Sequence, residues 1–288
     1  MSTTFGIIGL GIMGGSIAKA IRKNVISLSK TDDKIFALDK NATSLAKAIE
    51  TGVIDKGFNQ SETKEMLLQC DYVFICLYPK ATINFLQENR NNFKDDATIT
   101  DISGVKHDLA QKYNELCPPN ATLILGHPMA GGEKEGFEAS KGEYFINHNY
   151  LLITNSKADD IKIGELKNLI TKMGFSKITM VDADTHDNKI GFTSQLCHIV
   201  ASAMVESARD PEITSFGGGS FEDLTRIAMI NAPLWTELFL SNKEKLLSHI
   251  ETFKSELTNI QNLIEKEDAE KLQSLLEDVR KKRIEMQK

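Results

Sequence analysis

Short apolar runs alternate with amphipathic segments through about the first 180 residues of the chain. The runs are apolar on both faces, as expected of parallel strands covered by helices on each side. They occupy residues 5–10, 35–38, 72–77, 98–100, 123–125, 150–153 and 178–181. Amphipathic stretches at 16–23, 42–50 and 158–173 have helical spacing. This alternation predicts a doubly wound α/β domain with a parallel sheet over residues 1–180.

The pattern changes after residue 184, where strand signals almost disappear. Residues 190–204 are apolar on more than one helical face, which predicts a buried helix. Further helices are predicted at 220–229 and 234–240, and residues 246–264 carry an apolar seam at steps of three and four. Such a seam needs a partner helix, either in this chain or in a second copy. Residues 181–288 are therefore expected to form an all-helical second domain.

Composition narrows the class of protein. The chain has 288 residues, 41% of them hydrophobic and 26% charged, as in ordinary globular proteins. A net charge of -6 argues against a nucleic-acid binder, which needs a basic surface. The sequence has neither a signal-peptide pattern nor an apolar run of membrane-spanning length. The four cysteines lack metal-site spacing, so we expect no metal and reduced thiols in a cytoplasmic protein.

A glycine-rich turn follows the first predicted strand, with the sequence Gly9-Leu10-Gly11-Ile12-Met13-Gly14. Glycines at this spacing allow a tight turn, close approach of a pyrophosphate and close packing of the next helix. Asp39 ends the second predicted strand, where a carboxylate can bond ribose hydroxyls and repel a 2′-phosphate. The spacing to Asp39 is longer than usual, which a long first helix and loop would explain. The turn predicts a dinucleotide site that favours NAD over NADP, against the alternative of a turn that binds no nucleotide.

His127 lies between Gly126 and Pro128, directly after the apolar run 123–125. Because proline disfavours helical geometry in the residue before it, the histidine is expected at the carboxyl end of a strand. Ligands bind at that edge of an open α/β sheet. His127 is therefore a candidate for chemistry on a substrate beside the cofactor.

Three further segments carry polar groups with alternative interpretations. Ser103 follows another strand, where it is either a site residue or part of a capped turn. His198 lies within the apolar helix, where a hydrogen-bonded core histidine is the simpler interpretation. Arg226 has apolar neighbours, which predicts a half-buried guanidinium paired with Glu222 or with a substrate carboxylate.

Taken in order along nearly the whole chain, these segments resemble the prephenate/arogenate dehydrogenase family. The resemblance rests on residues 9–14, His127-Pro128-Met129-Ala130-Gly131, His186-Asp187, 194–198 and 221–228. It implies an N-terminal Rossmann-type domain, a helical C-terminal domain that forms a homodimer, and a site in the cleft between them. It also implies NAD-dependent oxidative decarboxylation of prephenate, or of arogenate, in tyrosine biosynthesis.

The resemblance also implies roles for individual residues. His127 would accept the proton of the ring hydroxyl, with a serine as its neighbour, and Arg226 would hold a substrate carboxylate. His198 and Gly131 would lie in the substrate pocket, and Glu133 is the acidic candidate there. Two departures stand out: Asp101-Ile102-Ser103-Gly104-Val105-Lys106 replaces the family's Asp-x-Gly-Ser-Val-Lys, and residues 194–198 keep only the second of two histidines. The displacement of Ser103 puts its contact with His127 in question.

Two other functions fit parts of the pattern. A β-hydroxyacid dehydrogenase would carry a catalytic lysine on the first helix of its helical domain, and Lys189 is the only lysine in that region. A non-catalytic NAD-binding sensor would have no need of His127 and Arg226 in one cleft.

Overall fold

The computed structural model describes residues 2–132, 134–154, 159–210 and 212–286. Its nine strands among these residues are β1 (Thr4–Ile8), β2 (Lys34–Leu38), β3 (Lys56–Phe58), β4 (Tyr72–Ile75), β5 (Thr98–Asp101), β6 (Thr122–Ile124), β7 (Gly126–Pro128), β8 (Asn149–Ile153) and β9 (Lys177–Val181). The α-helices of the first part are α1 (Ile12–Ala20), α2 (Ala42–Glu50), α3 (Thr63–Leu67), α4 (Pro79–Asn89), α5 (His107–Gln111), α6 (Tyr113–Leu116) and α7 (Asp160–Met173). Those of the second part are α8 (Ala183–Ile190), α9 (Cys197–Ser207), α10 (Gly219–Thr225), α11 (Ala232–Ser241), α12 (Lys243–Glu265) and α13 (Ala269–Glu285). Glu133 lies outside the described residues.

The main sheet has six parallel strands in the order β3-β2-β1-β4-β5-β6. The order reverses between β1 and β4, so the chain crosses from one half of the sheet to the other there. In doubly wound folds a ligand crevice opens outside the carboxyl ends of the strands at this point. The predicted α/β class and the helical second part are confirmed.

Both faces of the sheet are covered, as the apolar runs predict. Ile7 and Ile8 are adjacent and fully buried, yet each packs into a different hydrophobic cluster. Successive side chains of a strand point to opposite faces, so each cluster fills one side of the sheet. Burial on both sides fixes the position of β1 and of the glycine-rich turn after it.

A second, three-stranded sheet runs in the order β7-β8-β9. His127 lies just past the carboxyl end of β6, as expected. It also pairs with Leu151 in the short antiparallel strand β7, which the sequence did not predict. The chain leaves the main sheet after β6 and enters β7 within two residues. A Cβ atom on Gly126 would lie 2.7 Å from the side chain of Tyr150 and 3.0 Å from that of Thr100, so a larger residue here would displace the buried Tyr150 ring.

The second part of the chain is helical, as predicted. A π-helical turn at Gly191–Leu196 joins α8 and α9 into one continuous helix. On α12 the predicted seam starts inside the chain at Leu246, which is 4% exposed, and then emerges at Leu257 and Ile264, which are 55% and 58% exposed. The first part of the seam therefore packs within the chain, and the rest presents an open apolar face.

None of the helices in the described part of the chain is long and apolar enough to cross a membrane. The four cysteines are free thiols.

Candidate active site

A cavity of about 630 Å³ lies between the glycine-rich turn, the end of β7 and the helical part of the chain. Of the residues predicted for the site, it is lined by Gly11, Ile12, Met13, Gly14, Ser103, His127, Gly131 and His198. Gly9, Asp39 and Arg226 are described but do not line it. The structure thus brings the nucleotide-binding turn and both candidate histidines into one cavity.

The glycine-rich turn has the geometry of a dinucleotide cradle. Gly9 has φ +90°, and a Cβ atom there would lie 2.7 Å from the carbonyl oxygen of Cys76. A Cβ atom on Gly14 would lie only 1.9 Å from the carbonyl oxygen of Gly9, so any side chain at this position is excluded. Gly11 has open space around it, where a phosphate can approach the backbone at the start of α1. These residues fit a pyrophosphate.

Asp39 follows β2 and supports the turn directly. One carboxylate oxygen accepts a hydrogen bond from the N–H of Leu10, inside the turn, and the other accepts from the N–H of Asn41 at 2.7 Å. Each oxygen keeps a second lone pair for a further donor such as a ribose hydroxyl. The carboxylate therefore shapes the turn and can also contact a nucleotide.

His127 extends from β7 into the cavity. Its Nδ1 lies 2.9 Å from Nε2 of His186, and its Nε2 lies beside Gly104, another cavity residue. Burial, with the nearby His186 and Lys106 adding to it, holds the pKa of His127 well below 6.5. The ring is thus neutral near pH 7 and can accept a proton.

His186 and Asp187 are functional candidates to which sequence reasoning gave no role beyond the resemblance. They lie near the end of α8 and are 1% and 0% exposed. Nδ1 of His186 lies 2.7 Å from a carboxylate oxygen of Asp187. The adjacent His-Asp pair was the only available signal, because the contact with His127 spans 59 positions.

A buried ion pair holds the backbone of His127 in place. Lys106 Nζ donates to a carboxylate oxygen of Asp101 at 2.6 Å and to the carbonyl oxygen of Gly126. The other oxygen of Asp101 accepts from the N–H of Gly126 at 3.1 Å. Both side chains are fully buried, and burial lowers the pKa of Lys106 while Asp101 opposes that shift. The pair clamps Gly126 from both sides, which orients the next residue, His127.

Ser103 does not take the role that the resemblance implies. Its N–H donates to Asp101 at 2.9 Å, but its hydroxyl is buried and has no hydrogen-bond partner, so no bond to His127 forms. The displacement by one position explains this difference. Position 104, where the family pattern has serine, is the one beside the His127 ring, and here it is glycine.

His198 lies at the opposite wall of the cavity, against Trp235. Their rings stack with centroids 3.6 Å apart. Nδ1 of His198 bonds the carbonyl oxygen of Ser194 at 2.9 Å, which leaves Nε2 as the other polar atom of the ring. Burial lowers the pKa of His198, although the bond to Ser194 opposes the shift.

Arg226 is exposed, so the expected half-burial of its guanidinium was wrong. It begins the turn Arg226–Ala228, and its neighbour Ile227, not Arg226, lines the cavity. Gly131 is exposed at the cavity rim, with open space around its Cα. Lys189 is also exposed and does not line the cavity, so the lysine of a β-hydroxyacid dehydrogenase has no counterpart here.

Comparison with known families gives two matches that together span most of the chain. Residues 17–179 match the nucleotide-binding domain of prephenate dehydrogenase. Residues 182–278 match the dimerization domain of prephenate dehydrogenase.

Individual relatives agree with these matches. The prephenate dehydrogenase of Bacillus subtilis (strain 168) is 31% identical over 280 residues, covering 94% of this chain and 73% of that protein. The cyclohexadienyl dehydrogenase of Zymomonas mobilis is 26% identical, covering 96% and 94%. A crystal structure of prephenate dehydrogenase from Aquifex aeolicus, in complex with hydroxyphenyl propionate and NAD+, has a TM-score of 0.88 at 29% identity and covers 99% of both chains.

Proposed function

The chain belongs to the prephenate dehydrogenase family, and we propose that it catalyses the NAD-dependent oxidative decarboxylation of prephenate to 4-hydroxyphenylpyruvate. The step belongs to tyrosine biosynthesis. One observation carries this proposal: the ring of His127 and the nucleotide-binding turn meet in a single cavity. A proton acceptor beside a nicotinamide site is what oxidation of an alcohol carbon requires.

The cofactor is assigned to the glycine-rich turn. Gly9, Gly11 and Gly14, together with Ile12 and Met13, hold the pyrophosphate against the start of α1, and Asp39 contacts the ribose. When bound, NAD supplies the two-electron acceptor for the ring carbon that is oxidised. The negative charge of Asp39 favours NAD over NADP.

His127 acts as the general base. It accepts the proton of the ring hydroxyl at Nε2 while that carbon becomes a carbonyl, and loss of the ring carboxylate as carbon dioxide lets the ring become aromatic. Its lowered pKa keeps the ring neutral near pH 7, which this role requires. The clamp of Asp101 and Lys106 on Gly126 holds the ring in place for the transfer.

The substrate is held from the helical side of the cavity. His198 and Gly131 contact it, and Arg226 binds one of its carboxylates from the turn next to Ile227. We assign Glu133 to the same set of substrate-binding residues, because it lies between Gly132 and Lys134 in the sequence. In this scheme residues 1–180 form the cofactor domain and 181–288 the helical substrate domain.

The proposal includes a homodimer in the cytoplasm. The second part of the chain matches a dimerization domain, and the open face of α12 and α13 has the exposed side chains such a contact buries, including Leu257, Ile264, Leu276 and Val279. Apolar faces of this kind pack against a partner helix. Four free thiols fit a reducing compartment.

Turnover with two substrates tests the proposal. NADH formation is measured with prephenate and with arogenate, and we expect prephenate to give the higher kcat/KM. The His127→Asn variant should lose kcat by roughly a hundredfold or more, the usual scale of general-base catalysis, with NAD affinity nearly unchanged. Turnover with arogenate alone would reassign the substrate, and no turnover with either would overturn the proposal. A variant that chiefly lost NAD affinity would contradict the role of His127.

A further inference from the structure

Three side chains form a continuous hydrogen-bonded row that ends at the cavity. Asp187 bonds Nδ1 of His186 at 2.7 Å, and Nε2 of His186 bonds Nδ1 of His127 at 2.9 Å. His186 and Asp187 are both buried, whereas His127 reaches the cavity. The row connects α8 of the helical part to β7 of the α/β part.

The donor and the acceptor of each hydrogen bond follow from Asp187, the carboxylate at the buried end of the row. An ionised carboxylate can only accept, and Asp187 already accepts the N–H of Lys106 at 2.9 Å and that of His107 at 2.8 Å. Nδ1 of His186 must therefore carry the hydrogen that points at Asp187. Because burial lowers the pKa of His186, its ring is neutral near pH 7 and its Nε2 has no hydrogen.

The same reasoning then determines which ring nitrogen of His127 carries the hydrogen. A bare Nε2 on His186 can only accept, so Nδ1 of His127 must be the donor. A neutral His127 ring has a single N–H, which leaves its Nε2 bare. That nitrogen lies beside Gly104 on the cavity side, where a substrate hydroxyl would meet it.

We propose that His186 and Asp187 are positioning residues that hold His127 in the tautomer whose Nε2 is free to accept a proton. This role rests on the proposed function. When the substrate hydroxyl loses its proton, its O–H bond breaks and an N–H bond forms at Nε2 of His127. The ring becomes an imidazolium that still donates from Nδ1 to His186, and the carboxylate of Asp187 at the far end of the row stabilises the positive charge.

The tautomer is measured directly on the free protein. Selective ¹⁵N labelling of histidine and two-dimensional NMR distinguish protonated from bare ring nitrogens, and the signals missing in His127→Asn identify that residue. At pH 7.5 we expect a bare Nε2 and a protonated Nδ1 on His127. A protonated Nε2 on His127 in the wild-type protein would overturn the proposal, whether or not prephenate is the substrate.

The Asp187→Asn variant tests the origin of the tautomer. With its amide nitrogen in place of the oxygen that faces His186, the side chain donates to Nδ1 of His186 and gives up the bond from the N–H of Lys106. This orientation would reverse both hydrogen bonds and put a hydrogen on Nε2 of His127. We expect this reversal in the NMR spectrum, with kcat lower by roughly a thousandfold or more and the NAD Kd nearly unchanged. Asp184→Asn is the matched control, because Asp184 lies on the same helix and its side chain is 82% exposed in an ion pair with Lys245.

The outcomes separate the two proposals. A folded Asp187→Asn protein that keeps both the wild-type tautomer and wild-type kcat rules out the positioning role. If the enzyme is inactive on both substrates but shows the expected tautomers, the proposed function is rejected and the positioning role of His186 and Asp187 is retained. Loss of kcat in Asp184→Asn as large as in Asp187→Asn would show a general effect of altering α8 and would reject the specific role of Asp187.

Discussion

Nε2 of His127 lies 3.8 Å from the position that a Cβ atom would occupy on Gly104. A side chain at this position therefore meets the proposed base, whereas the hydroxyl of Ser103, one residue earlier, makes no hydrogen bond. The exchange of serine and glycine between positions 103 and 104 thus removes a hydroxyl from beside the histidine. This local change has consequences that can be measured at each of the two positions.

Gly104→Ser should return a hydroxyl to the His127 ring. The new Cβ would lie 3.3 Å from Leu238, which lines the cavity and must shift by a few tenths of an ångström. One hydrogen bond contributes about 0.5–1.5 kcal/mol, and this one would occupy the nitrogen that accepts the substrate's proton, so we expect kcat/KM for prephenate to fall by roughly three- to tenfold. Gly104→Ala adds the same Cβ without the hydroxyl and should not show this fall. Equal effects of the two substitutions would show that the hydroxyl has no role.

Ser103→Ala should have opposite effects on stability and on binding. The Ser103 hydroxyl is buried without a partner, and such a group costs about 1–3 kcal/mol. Its removal should therefore raise the free energy of unfolding of the ligand-free protein, measured by urea denaturation. Because the residue lines the cavity, we expect a bound ligand to satisfy the hydroxyl, so NAD or substrate affinity should fall by roughly three- to tenfold. A variant with weaker binding and lower stability contradicts this account.

Asp39→Asn separates the two roles of this carboxylate. Loss of its charge removes the repulsion of a 2′-phosphate, which is about 1 kcal/mol at 4 Å in water. The preference for NAD over NADP, measured as the ratio of kcat/KM values, should fall by roughly fivefold or more, with NADP use improved. If both cofactors instead bind equally less well, the carboxylate serves only to hold the N–H groups of Leu10 and Asn41.

Arg226→Ala should chiefly raise the KM for prephenate. Charged hydrogen bonds contribute about 1.5–3 kcal/mol, so the increase should be roughly tenfold or more. Arg226→Lys keeps the charge but loses the planar fork that binds a carboxylate through two hydrogen bonds, and its KM should be intermediate. Since Arg226 is exposed in the single chain, sedimentation must show that both variants keep the wild-type oligomeric state. An unchanged KM in Arg226→Ala would remove the residue from the substrate site.

Local patterns predicted five of the six strands of the main sheet, all but β3, and predicted the catalytic surroundings poorly. The runs at 150–153 and 178–181, expected in the same sheet, form β8 and β9 of the second one. Strand β4 was evident because its residues are apolar on both faces, and the glycine-rich turn because steric limits leave glycine as the only residue that fits at positions 9 and 14. Strand β7 was missed because Gly126-His127-Pro128 has no strand pattern, and it is the pairing with β8 that makes this segment a strand. Contacts such as His127 with His186 depend on how distant elements pack, which the spacing of residues does not encode. The apolar neighbours of Arg226 predicted partial burial, but Ile227 faces the cavity instead.

Acid should destabilise the folded protein through its histidines. Burial lowers the pKa values of His127, His186 and His198 below 6.5, whereas in the unfolded chain these rings titrate near 6.5. Below about pH 6.5 the unfolded state therefore binds more protons than the folded state, so the free energy of unfolding falls as pH falls. Above that pH these rings are neutral in both states, so they do not make the free energy of unfolding depend on pH.

His127→Asn tests this assignment, because it removes the ring whose pKa is shifted furthest from its usual value. The slope of unfolding free energy against pH between about 5 and 6.5 should become shallower by up to about 1.4 kcal/mol per pH unit, the limit for one proton. The same shift keeps His127 in its basic form at pH 7, so the acid limb of kcat/KM should fall well below pH 6.5. An acid limb above pH 6.5 would mean that another group is the base.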